Sequence, residues 1–209
     1  MRVCNLRKLI GIDVCPCRGQ RSFAAMNAQA QLNAEIIERT RKWIMEVVFK
    51  CNFCPFAAKE VKRDSIRYAV KPDLTQKEAL TALLEECKMM DSDEQIETTL
   101  LIFSQGFKSF REYLQLVEKA ESLVRKNGYE GIYQIASFHP DYFFAGAPID
   151  DAANFTNRSI YPMLHILREA SIEKVLERYP EPERIPEANM RFAREKGAAY
   201  MKMLRDSCL

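Results

Sequence analysis

Three short apolar runs separated by two capped amphipathic stretches constrain this chain more than any other feature. Ser65–Val70 places Ile66, Tyr68 and Val70 at alternate positions, Thr98–Phe103 is a brief apolar run, and Gly131–Phe138 is rich in isoleucine and aromatics. Each reads as a strand. Thr75-x-x-Glu78 and Ser109-x-x-Glu112 are capping boxes, in which a hydroxyl and a carboxylate satisfy free N–H groups at a helix start. Behind the first, Leu80, Leu83, Leu84 and Cys87 share a helical face; behind the second, Tyr113, Leu116, Val117, Ala120 and Val124 do, up to a stop at Asn127-Gly128. Strand–helix alternation predicts an α/β fold: a small, mainly parallel three-stranded sheet with a β-α-β-α-β core and right-handed crossovers.

Helices are expected on either side of that core. Ile36, Thr40, Trp43, Ile44, Val47 and Val48 recur at helical spacing within Ala28–Phe49. Pro55 suits the first position of a short helix reaching about Arg63. Pro162 is read as opening a helix that contains Leu164, His165 and Leu167. Pro180, Pro182 and Pro186 interrupt the chain before a last helix to about Leu204.

The 209 residues suit one domain over 28–209, and 47% hydrophobic with 29% charged residues can bury a core. A formal net charge of +2, with its basic residues dispersed, argues against nucleic-acid binding. No apolar run approaches the ~20 residues that span a bilayer. Seven cysteines at irregular spacing read as reduced thiols rather than a disulfide framework. Two glycosylation sequons, at Asn154 and Asn157, are read as coincidental because no secretory signal precedes them. Residues 1–25 differ from the rest. Arg2, Arg7, Lys8, Arg18 and Arg21 face a single acid, Asp13, and Val3, Leu6, Ile10 and Val14 share one side of a wheel. This resembles a mitochondrial transit peptide, with processing near Arg21-Ser22-Phe23. A plain tail is the alternative. Cys15-Pro-Cys17 lies inside it.

In open α/β sheets ligands collect beyond the carboxyl ends of strands, which here means Ser104-Gln105-Gly106 and His139-Pro140-Asp141. The chain has two histidines, His139 and His165. Cys54, just before Pro55, is expected at a helix N-cap, where the dipole would favour a thiolate. Cys51-x-x-Cys54 invites a redox reading, but it follows a helix rather than a strand. Arg158 and Arg168 are candidate anion-binding forks, and each is otherwise a surface ion-pair residue.

The chain resembles a family of mostly bacterial proteins known as domain of unknown function 1415. The resemblance runs from about Arg39 to the final helix. It rests on Trp43, on Asn52-x-Cys54-Pro55-Phe56-Ala57, on Ser137-Phe138-His139-Pro140-Asp141-Tyr142-x-Phe144-Ala145, and on Asn157-Arg158-Ser159-x-Tyr161-Pro162-x-Leu164-His165-x-Leu167-Arg168-Glu169. It carries no activity with it. It implies that Cys54, His139 and His165 belong to the family's patterns and that Cys51 does not. Two enzyme readings follow. Cys54, His139 and His165 bind a metal such as Zn²⁺ with an open position for water, or Cys54 is a nucleophile with a histidine base oriented by Asp141. In both, the substrate is a small anion. A binding or assembly protein using the same cleft is the alternative, and clustering of these residues in the core for purely structural reasons is a further one.

Overall fold

The three expected strands form, but a fourth lies between two of them. The computed structural model describes residues 16–177, 179 and 181–209. Its sheet contains β1 (Ile66–Lys71), β2 (Thr98–Phe103), β3 (Tyr133–Phe138) and β4 (Met163–Arg168), in the order β1-β2-β4-β3. β1 pairs parallel with β2, whereas β4 is antiparallel to both β2 and β3. β1, β2 and β3 therefore run in one direction, and the sheet is four-stranded and mixed.

This corrects the expected three-stranded sheet and the helix expected after Pro162. The reason lies in where β4 sits. It is central and covered on both faces, so Met163, Leu164, Ile166 and Leu167 are all buried. A strand buried on both faces shows no period of two, and a leucine-rich run behind a proline imitates a helix start. Pro162 stands just before the ladder, where its missing N–H costs nothing. Its carbonyl accepts the Phe103 N–H at 2.9 Å.

Both crossover helices start at their predicted caps, but only the first forms the full reciprocal box. At the second the Ser109 hydroxyl accepts the Glu112 N–H, and no bond from the Ser109 N–H to the Glu112 carboxylate is present. α3 (Gln76–Ser92) begins at Thr75, whose hydroxyl accepts the Glu78 N–H while the Glu78 carboxylate accepts the Thr75 N–H at 2.8 Å. α4 (Phe110–Lys126) begins at Ser109. The two cover one face of the sheet. Leu83, Cys87, Met90, Leu101, Tyr113 and Leu116 are fully buried in a continuous cluster there. Complete burial of such side chains contributes ~1.5–3 kcal/mol each.

The opposite face carries the end of α1 (Pro16–Trp43), a π-helical turn (Ile44–Phe49), α2 (Ala57–Arg63), α6 (Ile185–Lys196) and α7 (Ala198–Asp206). α5 (Glu169–Leu176) follows β4 directly and has no fully buried residue. The single terminal helix expected to reach Leu204 is two helices, parted at Gly197 with φ +83°. The connection from His139 to Ser159 is ordered by its own side chains. Asn154, fully buried, accepts the Phe144 N–H and donates to the carbonyls of Pro148 and Ile149.

The chain divides into two compact units, residues 1–35 and 36–209. In the first, Gln29 donates to Asn33 one helical turn on at 2.9 Å. Residues 1–15, which carry most of the transit-like character and Cys15, lie outside the described residues, as do Arg178 and Pro180. No helix among the described residues is long and apolar enough to cross a membrane.

Candidate functional site

Part of the face opposite α3 and α4 is hollow, beside the packed cluster around Ile102, Met163 and Met201. A cavity of about 660 Å³ lies between the sheet and the helices beyond it. Its floor is the set of sheet residues that alternation turns to this side: Ile66, Thr98, Leu100, Gln134, Ala136, Phe138, His165 and Leu167. Its walls come from Trp43, Ile44 and Val48 around the π-helical turn, from Phe53 to Ala57, from α5, and from the start of α6. A π-helical segment re-aims side chains relative to a regular helix and is frequent at functional sites.

Two of the three residues singled out from the motifs meet here, for both Cys54 and His165 line the cavity. His165 lies mid-way along β4, opposite Leu100 on one side and Ala136 on the other. Its Nε2 is 2.6 Å from Thr98 Oγ1, and that hydroxyl is also 2.6 Å from the Ile166 carbonyl. A carbonyl only accepts, so Thr98 gives its proton to Ile166 and takes one from His165 Nε2. The tautomer is thereby fixed. Nδ1 is left with a lone pair and makes no hydrogen bond among the described residues. Burial lowers the His165 pKa from its ordinary 6.5 to about 4, so the ring is neutral near pH 7.

Cys54 does not occupy a helix N-cap. α2 begins at Ala57, with Phe56 as the cap residue, and Cys54 sits in the preceding turn with its carbonyl accepting the Ala57 N–H at 3.2 Å. Pro55 starts the turn rather than the helix. Burial raises the Cys54 pKa above its ordinary 9.0, and the Phe56 and Ala57 N–H groups offset this only in part. The thiol, not the expected thiolate, is the resting form. Cys51, in contrast, is packed in the apolar cluster with Trp43 and Ile44 and does not line the cavity.

His139 is elsewhere. Phe138 faces the cavity, its ring 5.3 Å from Trp43 and 5.9 Å from His165. The next residue faces the other way, and the His139 ring lies 5.2 Å from Phe110 and 5.0 Å from Tyr113. Nδ1 of His139 accepts the Asp141 N–H at 3.0 Å, so Nε2 carries the proton and donates to the Phe107 carbonyl at 3.0 Å. Phe107 holds φ +54°, rare for a bulky residue. His139 therefore clamps a strained turn to the end of β3. Burial lowers its pKa as well. Asp141 engages the ring through its main chain, and its carboxylate is exposed.

Cys54, His139 and His165 are thus not brought together. Among the described residues no group of three or more His, Cys, Asp or Glu side chains could hold a metal ion. The two candidate anion-binding arginines are also occupied. Arg158 donates to the carbonyls of Tyr142 at 2.8 Å and Ile149 at 2.6 Å, and stacks over Phe155. Arg168 donates to Ile96 at 3.0 Å, to the Tyr133 hydroxyl at 3.2 Å, and to Met90 at the end of α3. Both forks tie main chain together and neither lines the cavity.

Other polar side chains also border the cavity, among them Gln134, Thr156, Asn157 and Asn189, and two buried ones stand out. Glu60 is fully buried, with Oε2 accepting the Ser65 hydroxyl at 2.6 Å and Oε1 3.3 Å from Lys59 Nζ. The Trp43 indole N–H, also buried, has no acceptor among the described residues. Sequence reasoning passed over Thr98 and Glu60. A period-two reading of Thr98–Phe103 puts Thr98 on one face with Leu100 and Ile102, but nothing in the sequence pairs it with His165.

With the geometry in place, comparison with known families is decisive on one point. The chain belongs to the DUF1415 family, "Protein of unknown function", whose pattern matches residues 35–203. The match spans both cavity-lining motif residues and stops short of the basic segment at the start. Comparison with curated proteins and with solved structures returned no match.

Proposed function

We propose that the DUF1415 domain binds a small, largely apolar molecule in the cavity on the hollow face of its sheet. The observation that carries this reading is the cavity itself: about 660 Å³, lined mainly by aliphatic and aromatic side chains, with a minority of polar groups that includes Cys54 and His165. Preformed apolar cavities with a few polar groups are the usual form of small-molecule sites. The lining favours an uncharged occupant over the anion expected from the sequence, because Glu60 is its only charged residue among those described.

Binding is tested with Nile red, an uncharged apolar probe, by energy transfer from Trp43, the only tryptophan in the chain. Saturable binding at one site is expected, and replacement of Ala136 on the cavity floor by Phe is expected to abolish it while circular dichroism stays unchanged. Absence of saturable binding to the parent protein would overturn the proposal.

A second reading is supported by Cys54 and His165 sharing the cavity. In it Cys54 is a thiol nucleophile and His165 its base. It requires Cys54 to alkylate faster than a simple thiol, and the raised Cys54 pKa speaks for the opposite. Targeting of the chain to mitochondria by residues 1–25 is a separate proposal, tested by whether that segment directs a fluorescent reporter there.

A further inference from the structure

The binding reading leaves the chemistry of the occupant open, and the hydrogen bonding of His165 narrows it. The Thr98 hydroxyl can release only one proton. The Ile166 carbonyl, 2.6 Å away, must receive it, which forces His165 to donate from Nε2. Nδ1 then presents a lone pair to the cavity and has no partner among the described residues. This acceptor cannot turn into a donor cheaply. Exchange of the tautomer would leave Thr98 Oγ1 without its incoming proton, and protonation of both nitrogens is opposed by the buried setting. The one carboxylate in the described lining, Glu60, is already paired with Lys59 at 3.3 Å, so the lining offers no unpaired cation to an acidic ligand.

Resting on the proposed binding function, we infer that the occupant is an apolar molecule bearing a neutral O–H or N–H donor that meets His165 Nδ1, and that a carboxylate or phosphate oxygen is disfavoured at that atom. An anionic oxygen at that position would oppose lone pair to lone pair. A hydroxyl or amide N–H would satisfy Nδ1, while the rest of the molecule covers Phe138, Leu100 and the aliphatic residues of α5. A neutral hydrogen bond of this kind contributes a modest net preference, and the anion suffers the larger penalty of losing its water.

Three probes of equal chain length separate the possibilities: decan-1-ol, its methyl ether and decanoate, each titrated at neutral pH against the full chain by Trp43 fluorescence and calorimetry. The alcohol is expected to bind about fivefold to tenfold more tightly than the ether, and decanoate more weakly than either. In His165→Phe the alcohol and the ether should bind equally. Thr98→Val, which frees the tautomer, should shrink the alcohol's advantage without removing binding of the ether. Circular dichroism of both variants checks that they fold. If alcohol and ether bind the parent equally, or decanoate binds best, the donor inference is overturned while the cavity remains a binding site. If none of the three binds and Nile red also fails, the binding reading itself falls.

Discussion

The two faces of the sheet contain one histidine each, and the contrast between them separates structure from function in this molecule. On the α3/α4 face His139 is fully buried, and each ring nitrogen has a main-chain partner. On the other face His165 has one nitrogen bonded to Thr98 and the other without a partner among the described residues, on the cavity floor. The surroundings differ in the same way. Leu83, Tyr113 and Leu116 leave no surface exposed, whereas α5 buries none of its residues completely. Around His139, paired ring nitrogens and close packing leave no room for a ligand. Unmet hydrogen-bonding capacity beside empty volume is where one fits. Two residues that look alike in sequence are therefore assigned opposite roles by what surrounds them.

The largest expected effect tests the packing difference. Leu116→Ala on the packed face should cost about 2–5 kcal/mol in urea denaturation, because truncation there opens a new hole. Leu176→Ala, at the cavity wall, should cost less than about 1.5 kcal/mol, because that side chain already borders empty space. Equal losses would mean that the hollow face is as tightly packed as the other.

Next come the histidines themselves. His139→Ala should destabilise the protein by about 2–4 kcal/mol, since it orphans the Phe107 carbonyl and the Asp141 N–H and releases the strained Phe107 turn. His165→Phe should change stability by less than about 1 kcal/mol, because it exchanges one hydrogen bond for added apolar contact in the cavity. A reversal of that order, measured by thermal denaturation, would put the structural role on His165.

The smallest effect sharpens the electrostatic side of the comparison. His165 titrates near 4 when folded and near 6.5 when exposed, so between these values the unfolded chain binds more protons. Its contribution to stability is complete above about pH 6.5 and is lost as pH falls toward 4. The parent should therefore lose about 1–3 kcal/mol relative to His165→Phe across that window. His139, also lowered by burial, acts with the same sign in both proteins and cancels in the difference. A difference that does not change with pH would show that His165 is not shielded from water as the cavity implies.

Much of the scaffold was legible in the sequence because it is written in local terms. The box at Thr75 and the hydroxyl cap at Ser109 are contacts between residues three apart, and both helices start where those residues place them. The three parallel strands are likewise brief apolar segments between capped helices. β4 was not legible, since being buried on two sides erased its alternation and Pro162 mimicked a helix start. Cys54 shows the same limit at finer scale. Its neighbour Pro55 reads as a helix start, but the turn from Cys54 to Ala57 intervenes, and burial raises the pKa that a helix dipole would lower.

The sequence by itself determined the family, the α/β class, the two capped crossovers and a short set of polar residues worth attention. Tertiary structure alone decided which of those residues share a site. His139 and His165 are separated because a strand sends successive side chains to opposite faces, and β4 enters the sheet between β2 and β3 with His165 turned to the face that Phe138 also occupies. Arg158 and Arg168 close on carbonyls distant in sequence, and Thr98 fixes the tautomer of a histidine 67 residues away. None of these pairings has a local signature, because they depend on strand order and register, which arise from packing the whole chain.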